Sequence, residues 1–404
     1  MVKLSLCMIV KNEKAFLEEC LLSVQGLVDE IVIVDTGSSD KTKEIALKFG
    51  AMVYDFEWCD DFSLARNESL KYATGDWILV LDADEVIAKE DFGKMRNLIE
   101  QTKAKGFYVR QRSYTNNNTI VEFVYAQSRE EIKGFLGWSD CWIVRLFAND
   151  EKIKFLGEVH EIVDKTLENN SYEIGFSDII INHYGELKNI DDKRDVSKDK
   201  LRFYERLAKV KVGGDPNNVR AHDELAIIYK KLGMIRDAEK EWDSCLEINQ
   251  NYVPALLEKA CLIKKRGNFQ EALEYYNKLV NLRLNLPEVF LGLGICYVNL
   301  NDWGRAQYCF NLAIKLNSNY FDAWVNLGVV YEKLNQLEEA KFVLGKALEI
   351  YRSSEIAYYN LGVVYEKMLD LVRAVDFYKK ALELGYKDKE LEERVDKIET
   401  ILTH

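Results

Sequence analysis

The sequence predicts an α/β domain of Rossmann-like type followed by an all-α solenoid of repeated helix pairs, and three observations predict it. Short β-branched runs alternate with helical stretches as far as about residue 185, the signature of a sheet built from strand and helix units. A Gly-Gly-Asp-Pro at 213–216 then breaks the chain, because two glycines and a proline together disfavour a continuing helix. Beyond it, alanine recurs at 238, 272, 306, 340 and 374, each 34 residues after the last.

Taken in order, strands are expected at 4–10, 30–35, 77–81, 107–112, 142–147 and 179–183, with helices at 13–24, 41–49 and 62–72. From about 190 the run "DDKRDVSKDKLRFYERLAKVKV" is one charged amphipathic helix, expected as a linker over 188–218 after a first domain at 1–187. The 34-residue spacing is the tetratricopeptide period, and Tyr229, Ile263, Tyr297, Tyr331 and Tyr365 keep that register nine residues before each alanine. In "AWVNLGVVYEKLNQLEEAKFVLGKAL", Trp324, Leu327, Gly328 and Tyr331 share one helix face, and Ala340, Leu344 and Ala347 share another. The chain thus resembles five tetratricopeptide repeats over 219–386, closed by a capping helix at 387–404. The second repeat departs most, with Lys259 and Ala260 where the others keep an apolar residue and usually a glycine.

Composition narrows the partners. Lys and Arg number 55 against 67 Asp and Glu, so 55 − 67 = −12, which argues against a nucleic-acid or anionic-membrane binder working by bulk charge. The eight cysteines lie singly without a CxxC, and they read as buried free thiols of a reducing compartment, hence a cytoplasmic protein. The apolar run before Lys11 is too short for a secretory signal, and none reaches the roughly 18 residues of a membrane span.

The chemistry gathers where "WILVLDADEV" runs an apolar strand into Asp82, Asp84 and Glu85. In an open parallel sheet, ligands bind outside the carboxyl ends of the strands, and strand alternation places Asp82 and Asp84 on one side, able to share one divalent cation. Oxygen ligands favour Mg²⁺ or Mn²⁺ over zinc. Other strands end alike: "CMIVKNE" closes on Asn12 and Glu13, and "EIVIVDTGSSDKT" turns after Asp35. "HEIVD" at 160–164 lacks the second histidine of a HExxH zinc motif, and "GLGICY" at 292–297 lacks the third glycine of a dinucleotide fingerprint.

With these strand ends, "DDFSLARNESLKYATGDWILVLDADE" at 60–85, "FLGEVHE" at 155–161 and "INHYG" at 181–185 resemble family 2 glycosyltransferases of the GT-A fold. The likeness is to the subgroup that carries tetratricopeptide repeats, which includes the sublancin S-glycosyltransferase. The resemblance implies a UDP-sugar donor, a hexose or N-acetylhexosamine, with Asp35 on the pyrimidine. Val10, Asn12 and Glu13 would flank base and ribose, Arg66 would reach base or phosphate, and Asp82 would lie near ribose and metal. Asp84 would ligate Mn²⁺ or Mg²⁺, with His183 completing the metal site. It implies inversion at the anomeric carbon and one base. Glu161 is the candidate, with His160 orienting substrate or acting as the base itself, and Glu158 the alternative if the segment is a turn. The expected acceptor is a protein or peptide held by the repeats; a glycan or lipid-linked acceptor and an inactive scaffold are the competing readings, and a homodimer stays open.

Overall fold

Leu4–Val10 reads LSLCMIV, without a charge, and forms the strand β1 around which the first sheet is built. A computed structural model describes residues 2–117, 123–127, 132–158, 161–185, 196–283 and 285–403. The chain divides into two units, Met1–Arg194 and Asp195–His404.

In the first unit β2 (Glu30–Asp35), β3 (Met52–Asp55) and β4 (Trp77–Val80) join β1 in a parallel block ordered β3-β2-β1-β4. The remaining strands are β5 (Glu85–Ile87), β6 (Gly106–Thr115), β7 (Val124–Tyr125), β8 (Gly137–Ala148) and β9 (Ile174–His183). They continue the sheet as β4-β8-β6-β9-β5, with β7 paired to β8. Here the expected open parallel sheet is corrected: β4 with β8, β6 with β8, and β5 with β9 are antiparallel. Antiparallel partners need no helical crossover between them. The sheet is therefore mixed, and its parallel half is the part that carries β1, β2 and β4.

Among the described residues five α-helices accompany it: α1 (Leu17–Ser23), α2 (Thr42–Lys48), α3 (Phe62–Tyr72), α4 (Phe92–Gln101) and α5 (Asp164–Asn169). α1 buries Leu17, Cys20 and Leu21, at the i, i+3, i+4 spacing of one helix face. Asp61 caps α3, its side chain accepting a hydrogen bond from the Leu64 amide at 3.1 Å. The strand β4 is buried along its whole length and ends at Val80. Past it the chain turns, the Glu85 amide donating to the Asp82 carbonyl at 3.0 Å, and re-enters the sheet as β5. That turn is why the apolar run stops in carboxylates.

The second unit opens with α6 (Val196–Gly214), whose Ala208 packs with Leu225, Ala226 and Tyr229 of α7 (Val219–Lys231). The repeat pairs are α7 with α8 (Ile235–Ile248), α9 (Val253–Lys265) with α10 (Phe269–Asn281), and α11 (Pro287–Asn299) with α12 (Trp303–Leu316). Next come α13 (Phe321–Lys333) with α14 (Leu337–Ile350) and α15 (Glu355–Lys367) with α16 (Leu371–Glu383). First helices begin at 219, 253, 287, 321 and 355, so each start lies 34 residues after the last. The periodic alanines are all fully buried, where a larger side chain would hold the two helices apart. At Gly328 a Cβ would lie 2.6 Å from Leu344, and at Gly362 2.4 Å from Tyr378, so these first helices touch their partners through bare backbone. Lys259, out of pattern in the sequence, is nonetheless buried and donates to Asp243. α17 (Lys389–Thr403) closes the stack with Leu391, Val395 and Ile398.

All eight cysteines are free. Cys7, Cys20, Cys245, Cys296 and Cys309 are buried as expected, but Cys59 and Cys141 are exposed. Among the described residues no helix is long and apolar enough to cross a membrane.

One carboxylate locks the amino-terminal edge of the parallel block. Glu30 accepts from the Ser5 hydroxyl, from the Thr74 hydroxyl at 2.8 Å and from the Gly75 amide at 3.0 Å. Burial alone would raise this carboxyl, but the hydrogen bonds from Ser5, Thr74 and Gly75 outweigh it and hold it below its ordinary value of 4.5. A carboxyl depressed by folding stabilises above its unfolded value and loses that contribution as pH falls through the folded one. Glu30→Gln is therefore expected to cost about 1 kcal/mol at pH 7, a deficit that shrinks toward zero below about pH 4.5. Urea melts of both proteins at pH 7 and pH 3.5 check it; a deficit as large in acid as at neutrality contradicts the assignment.

Candidate active site

The carboxyl ends of β1 and β2 are tied together by their own turn residues. Asn12 sits at φ 57, a left-handed conformation that asparagine tolerates, and its side-chain oxygen accepts from the Ser39 amide at 2.8 Å. Its own amide donates to the Ser38 hydroxyl at 2.8 Å. The Glu13 amide donates to Thr42 Oγ1 at 2.7 Å, and the Val10 carbonyl accepts from the Thr36 amide at 2.9 Å. Between these turns Asp35 is fully buried. Its Oδ1 accepts from the Gly37 and Ser38 amides at 3.0 and 2.8 Å, with Lys43 Nζ at 3.8 Å. Its Oδ2 is buried with no hydrogen-bond partner among the described residues.

A second cluster lies at the end of β4. Arg66, on α3 and 4% exposed, donates through Nη2 to Asp82 Oδ1 and through Nε to Glu161 Oε1 at 3.0 Å. Arg145, on β8, donates to Asp82 Oδ2 at 2.8 Å and to Glu85 Oε1 at 3.3 Å. Glu85 is fully buried, and its other oxygen accepts from the Asp82 amide at 2.7 Å. Gln111 of β6 donates to Glu85 as well. The result is a chain of charge, Glu161–Arg66–Asp82–Arg145–Glu85, mostly removed from water. Burial raises the Glu85 carboxyl; Arg145 pulls it back down, and Asp82 pushes it up again, leaving it above the ordinary range. Burial works to lower the Arg145 guanidinium, but Glu85 and Asp82 overcome it and hold the positive charge more firmly.

Asp84 takes a different direction from Asp82. Its carboxylate faces His183, with Oδ2 3.5 Å from Nε2, and its carbonyl accepts from the Tyr184 amide at 3.0 Å. Burial would lower the His183 imidazole, yet the Asp84 carboxylate, with Glu85 and Asp82 behind it, raises it overall. His183 Nδ1 lies 3.1 Å from the Ser113 hydroxyl, which orients the ring.

The structure thus places the sequence-predicted residues in three groups. Val10, Asn12, Glu13 and Asp35 form the first, Arg66, Asp82 and Glu161 the second, and Asp84 with His183 the third. Arg66 is engaged by carboxylates on two sides, and Asp82 by two arginines. Among the described residues no three His, Cys, Asp or Glu side chains converge to hold a metal ion. The described segment 155–158 leads toward Glu161, and Leu156 and Ile162 are joined by mutual backbone hydrogen bonds at 3.0 and 3.1 Å. Asn67 of α3 clamps it through both Phe155 backbone groups, at 2.8 and 2.9 Å. Glu158 is exposed on that segment, and His160 lies outside the described residues. Sequence reasoning missed Arg145 and Gln111. A lone arginine inside "CWIVRLFA" was the available signal, since a charge in an otherwise apolar strand requires a buried partner.

Residues 5–148 match the family model described as glycosyl transferase family 2, and residues 263–384 match one described as the cilia and flagella-associated protein 70 middle TPR-like domain. A TPR repeat-containing protein of Synechococcus elongatus is 39% identical over 192 residues, 46% of this chain and 43% of that protein. The SPbeta prophage-derived glycosyltransferase SunS of Bacillus subtilis is 34% identical over 155 residues, 38% of this chain and 33% of that one. The chain therefore spans less than half the length of either relative. The solved structure of YrrB, a TPR protein with an unusual peptide-binding site, aligns at 19% identity with a TM-score of 0.41, covering 47% of this chain and 97% of that one. The first unit carries a glycosyltransferase family 2 domain of GT-A type, and tetratricopeptide repeats follow it.

Removing one member of a buried ion pair leaves the other uncompensated. Arg145→Met is expected to destabilise the first unit by about 3–5 kcal/mol, because the fully buried Glu85 must then either hold its charge without a cation or take up a proton to lose it. Adding Glu85→Gln to that variant is expected to recover a large part of the loss. Chemical denaturation of the two variants checks this; a double variant no more stable than Arg145→Met alone refutes the pairing.

Proposed function

We propose that the chain is an inverting glycosyltransferase that moves a sugar from a UDP-linked hexose or N-acetylhexosamine to a protein or peptide held by the repeats. The observation that carries this reading is Asp35. A fully buried carboxylate with one oxygen capped by two amides and the other unpartnered suits an imide N–H of a pyrimidine, which would supply the missing donor. Val10, Asn12 and Glu13 border that position on the neighbouring turn and flank base and ribose. Asp82, held between Arg66 and Arg145, lies on the ribose side. A glycosyltransferase and a TPR repeat-containing protein among the relatives support the pairing of a transferase domain with repeats.

A divalent cation fits the donor set. One carboxylate and one imidazole, Asp84 and His183, leave most of the coordination sphere to phosphate and water oxygens, as Mg²⁺ and Mn²⁺ prefer. Bound there, the cation supplies charge neutralisation for the departing nucleotide diphosphate. On the other side of the sugar a carboxylate accepts the acceptor's proton as its hydroxyl or thiol attacks the anomeric carbon. Glu161 is that base in this reading, aligned by Arg66; His160 orients substrate, and it is the base if Glu161 is not. The free thiols favour action in the cytoplasm, where they stay reduced.

Incubation with a panel of nucleotide sugars tests the proposal: UDP-sugar hydrolysis, read by release of UDP, is expected in the presence of Mn²⁺ or Mg²⁺. Absence of turnover with every donor defeats it. Asp84→Asn keeps the side chain's shape but removes its charge, and it is expected to lower turnover by about 10²–10³; EDTA is expected to do the same to the unaltered protein. Turnover indifferent to both treatments removes the cation from the reading.

Glu161→Gln retains an oxygen for Arg66 Nε but accepts no proton. It is expected to abolish transfer with donor affinity nearly unchanged, since the loss falls on the transition state. Calorimetry of UDP binding and mass spectrometry of the acceptor check it beside Glu158→Gln and His160→Ala. Near-normal transfer by Glu161→Gln, with either neighbour inactive, moves the role to that neighbour.

A further inference from the structure

Gly185 is a glycine that the backbone does not ask for. It holds no left-handed φ, so alanine in its place meets no conformational strain. Space is what excludes a side chain: a Cβ on Gly185 would lie 2.7 Å from His183 Nε2, 2.9 Å from His183 Cε1 and 3.2 Å from Asp84 Oδ2. Nε2 and Oδ2 are the candidate ligand atoms for a divalent cation, and they lie 3.5 Å apart. Adjacent ligands of an octahedral Mg²⁺, each about 2.1 Å from the metal, sit roughly 3 Å from one another. The pair therefore needs little movement to close on a cation, whereas a methyl group at 185 would press on both donor atoms at once.

Neither side of that contact yields easily. The imidazole is anchored at its other nitrogen, for Ser113 of β6 stands directly opposite His183 of β9 and its hydroxyl lies 3.1 Å from Nδ1. Glu85 of β5 stands opposite His183 on the other flank. The chain that carries Gly185 is fixed as well. The Tyr184 amide donates to the Asp84 carbonyl at 3.0 Å, the Tyr184 ring stacks on Tyr114 with centroids 4.8 Å apart, and Lys133 Nζ lies 4.0 Å from the Tyr184 ring centroid. A side chain at 185 would turn the imidazole, breaking its hydrogen bond with Ser113 and carrying Nε2 away from Asp84.

A histidine that gives its Nε2 lone pair to a metal keeps its proton on Nδ1, and the partner of Nδ1 fixes both that tautomer and the orientation of the ring. A serine hydroxyl suits this part because it accepts as well as donates. We propose that Gly185 and Ser113 are the positioning residues of the cation site: Ser113 accepts the Nδ1 proton and holds the ring, and Gly185 leaves bare the space beside Asp84 Oδ2 and His183 Nε2 that a cation needs. This rests on the reading of Asp84 and His183 as the cation's protein ligands, and it names the two residues on which that pair depends.

Calorimetric titration of UDP into the full chain, in EDTA and at increasing Mn²⁺, tests this without turnover. Mn²⁺ is expected to tighten UDP binding by the unaltered protein. Gly185→Ala is expected to bind UDP normally in EDTA but to need roughly 10–100-fold more Mn²⁺ for the same tightening. Ser113→Ala is expected to need about tenfold more, and Ser113→Thr, which keeps the hydroxyl, to restore most of the response. Added to Asp84→Asn, in which the cation is already lost, Gly185→Ala is expected to cost nothing further. An unchanged Mn²⁺ requirement in Gly185→Ala overturns the proposal, and so does an equal loss of UDP affinity in EDTA and in Mn²⁺, which makes the glycine a packing contact of the nucleotide pocket. UDP binding by the unaltered protein that Mn²⁺ does not change strikes the cation reading and this inference with it. Absence of UDP binding in every condition strikes the donor assignment alone, and the proposal is then judged on the imidazole ¹⁵N signals, resolvable in a chain with four histidines. Mn²⁺ by itself is expected to broaden His183 in the unaltered protein at concentrations that leave Gly185→Ala sharp; equal broadening, or none in either, overturns it.

Discussion

The first unit depends on keeping two guanidiniums and three carboxylates in register where water is scarce. Arg66 and Arg145 are 4% and 6% exposed, and Glu85 is fully buried. Desolvating such groups costs several kcal/mol each, and close partners of opposite charge are what offset it. Two unit charges 4 Å apart attract by about 4 kcal/mol at an effective dielectric of 20, so a chain of alternating charges offsets a cost that no isolated pair could. Its geometric consequence matters more than its energy. Arg66 belongs to α3, Asp82 and Glu85 to the turn between β4 and β5, and Arg145 to β8. The chain therefore fixes the carboxylate turn against the helix and the antiparallel strand at once, and it holds Glu161 to the same frame. With Asp82 committed inside this frame, Asp84 is left to face His183.

That division of labour was only half legible in the sequence. An apolar strand running into carboxylates marks the carboxyl end of a sheet, and β1, β2 and α3 form where their patterns put them. Periodicity, however, reports which face of an element is buried, and a buried strand reads alike whether its neighbour runs parallel or antiparallel. The mixed order of β8, β6 and β9 was invisible for that reason. β3, with four partly exposed residues, and β5, with three, are too short to show an alternation. Arg145 was hidden by its surroundings: local pattern shows a charge inside an apolar strand, but only the fold shows that Asp82 and Glu85, some sixty residues earlier, come to meet it.

The repeats were legible because the same contact is written five times. A fully buried alanine on each second helix and a small residue on each first helix let the pair approach, and the sequence repeats that arrangement at a fixed spacing. Each repeat packs against its neighbours, so stability is approximately a sum of local terms, and one position can drift when its local contacts adjust. The second repeat shows this. Ala260 replaces the glycine, and Lys259 stays buried because Asp243 of the preceding repeat takes its charge.

Three side-chain atoms among the described residues are buried without a hydrogen-bond partner: Asp35 Oδ2, Arg66 Nη1 and Arg145 Nε. Each such atom costs about 1–3 kcal/mol, and folded proteins hold few of them. Random imperfection would scatter them through both units, yet all three belong to the candidate active site and none to the solenoid. Their chemistry is also mixed, an acceptor at the end of β2 and two donors about the carboxylate turn. A single cation or a single anion could not satisfy that set. A ligand carrying a donor at one end and acceptor oxygens along its length could, and a nucleotide sugar, with a base imide followed by ribose and diphosphate, has that order of groups. In the proposed function the polar groups left unmet by folding are the ones met in binding, so the cost they impose on the fold is returned as affinity for the donor.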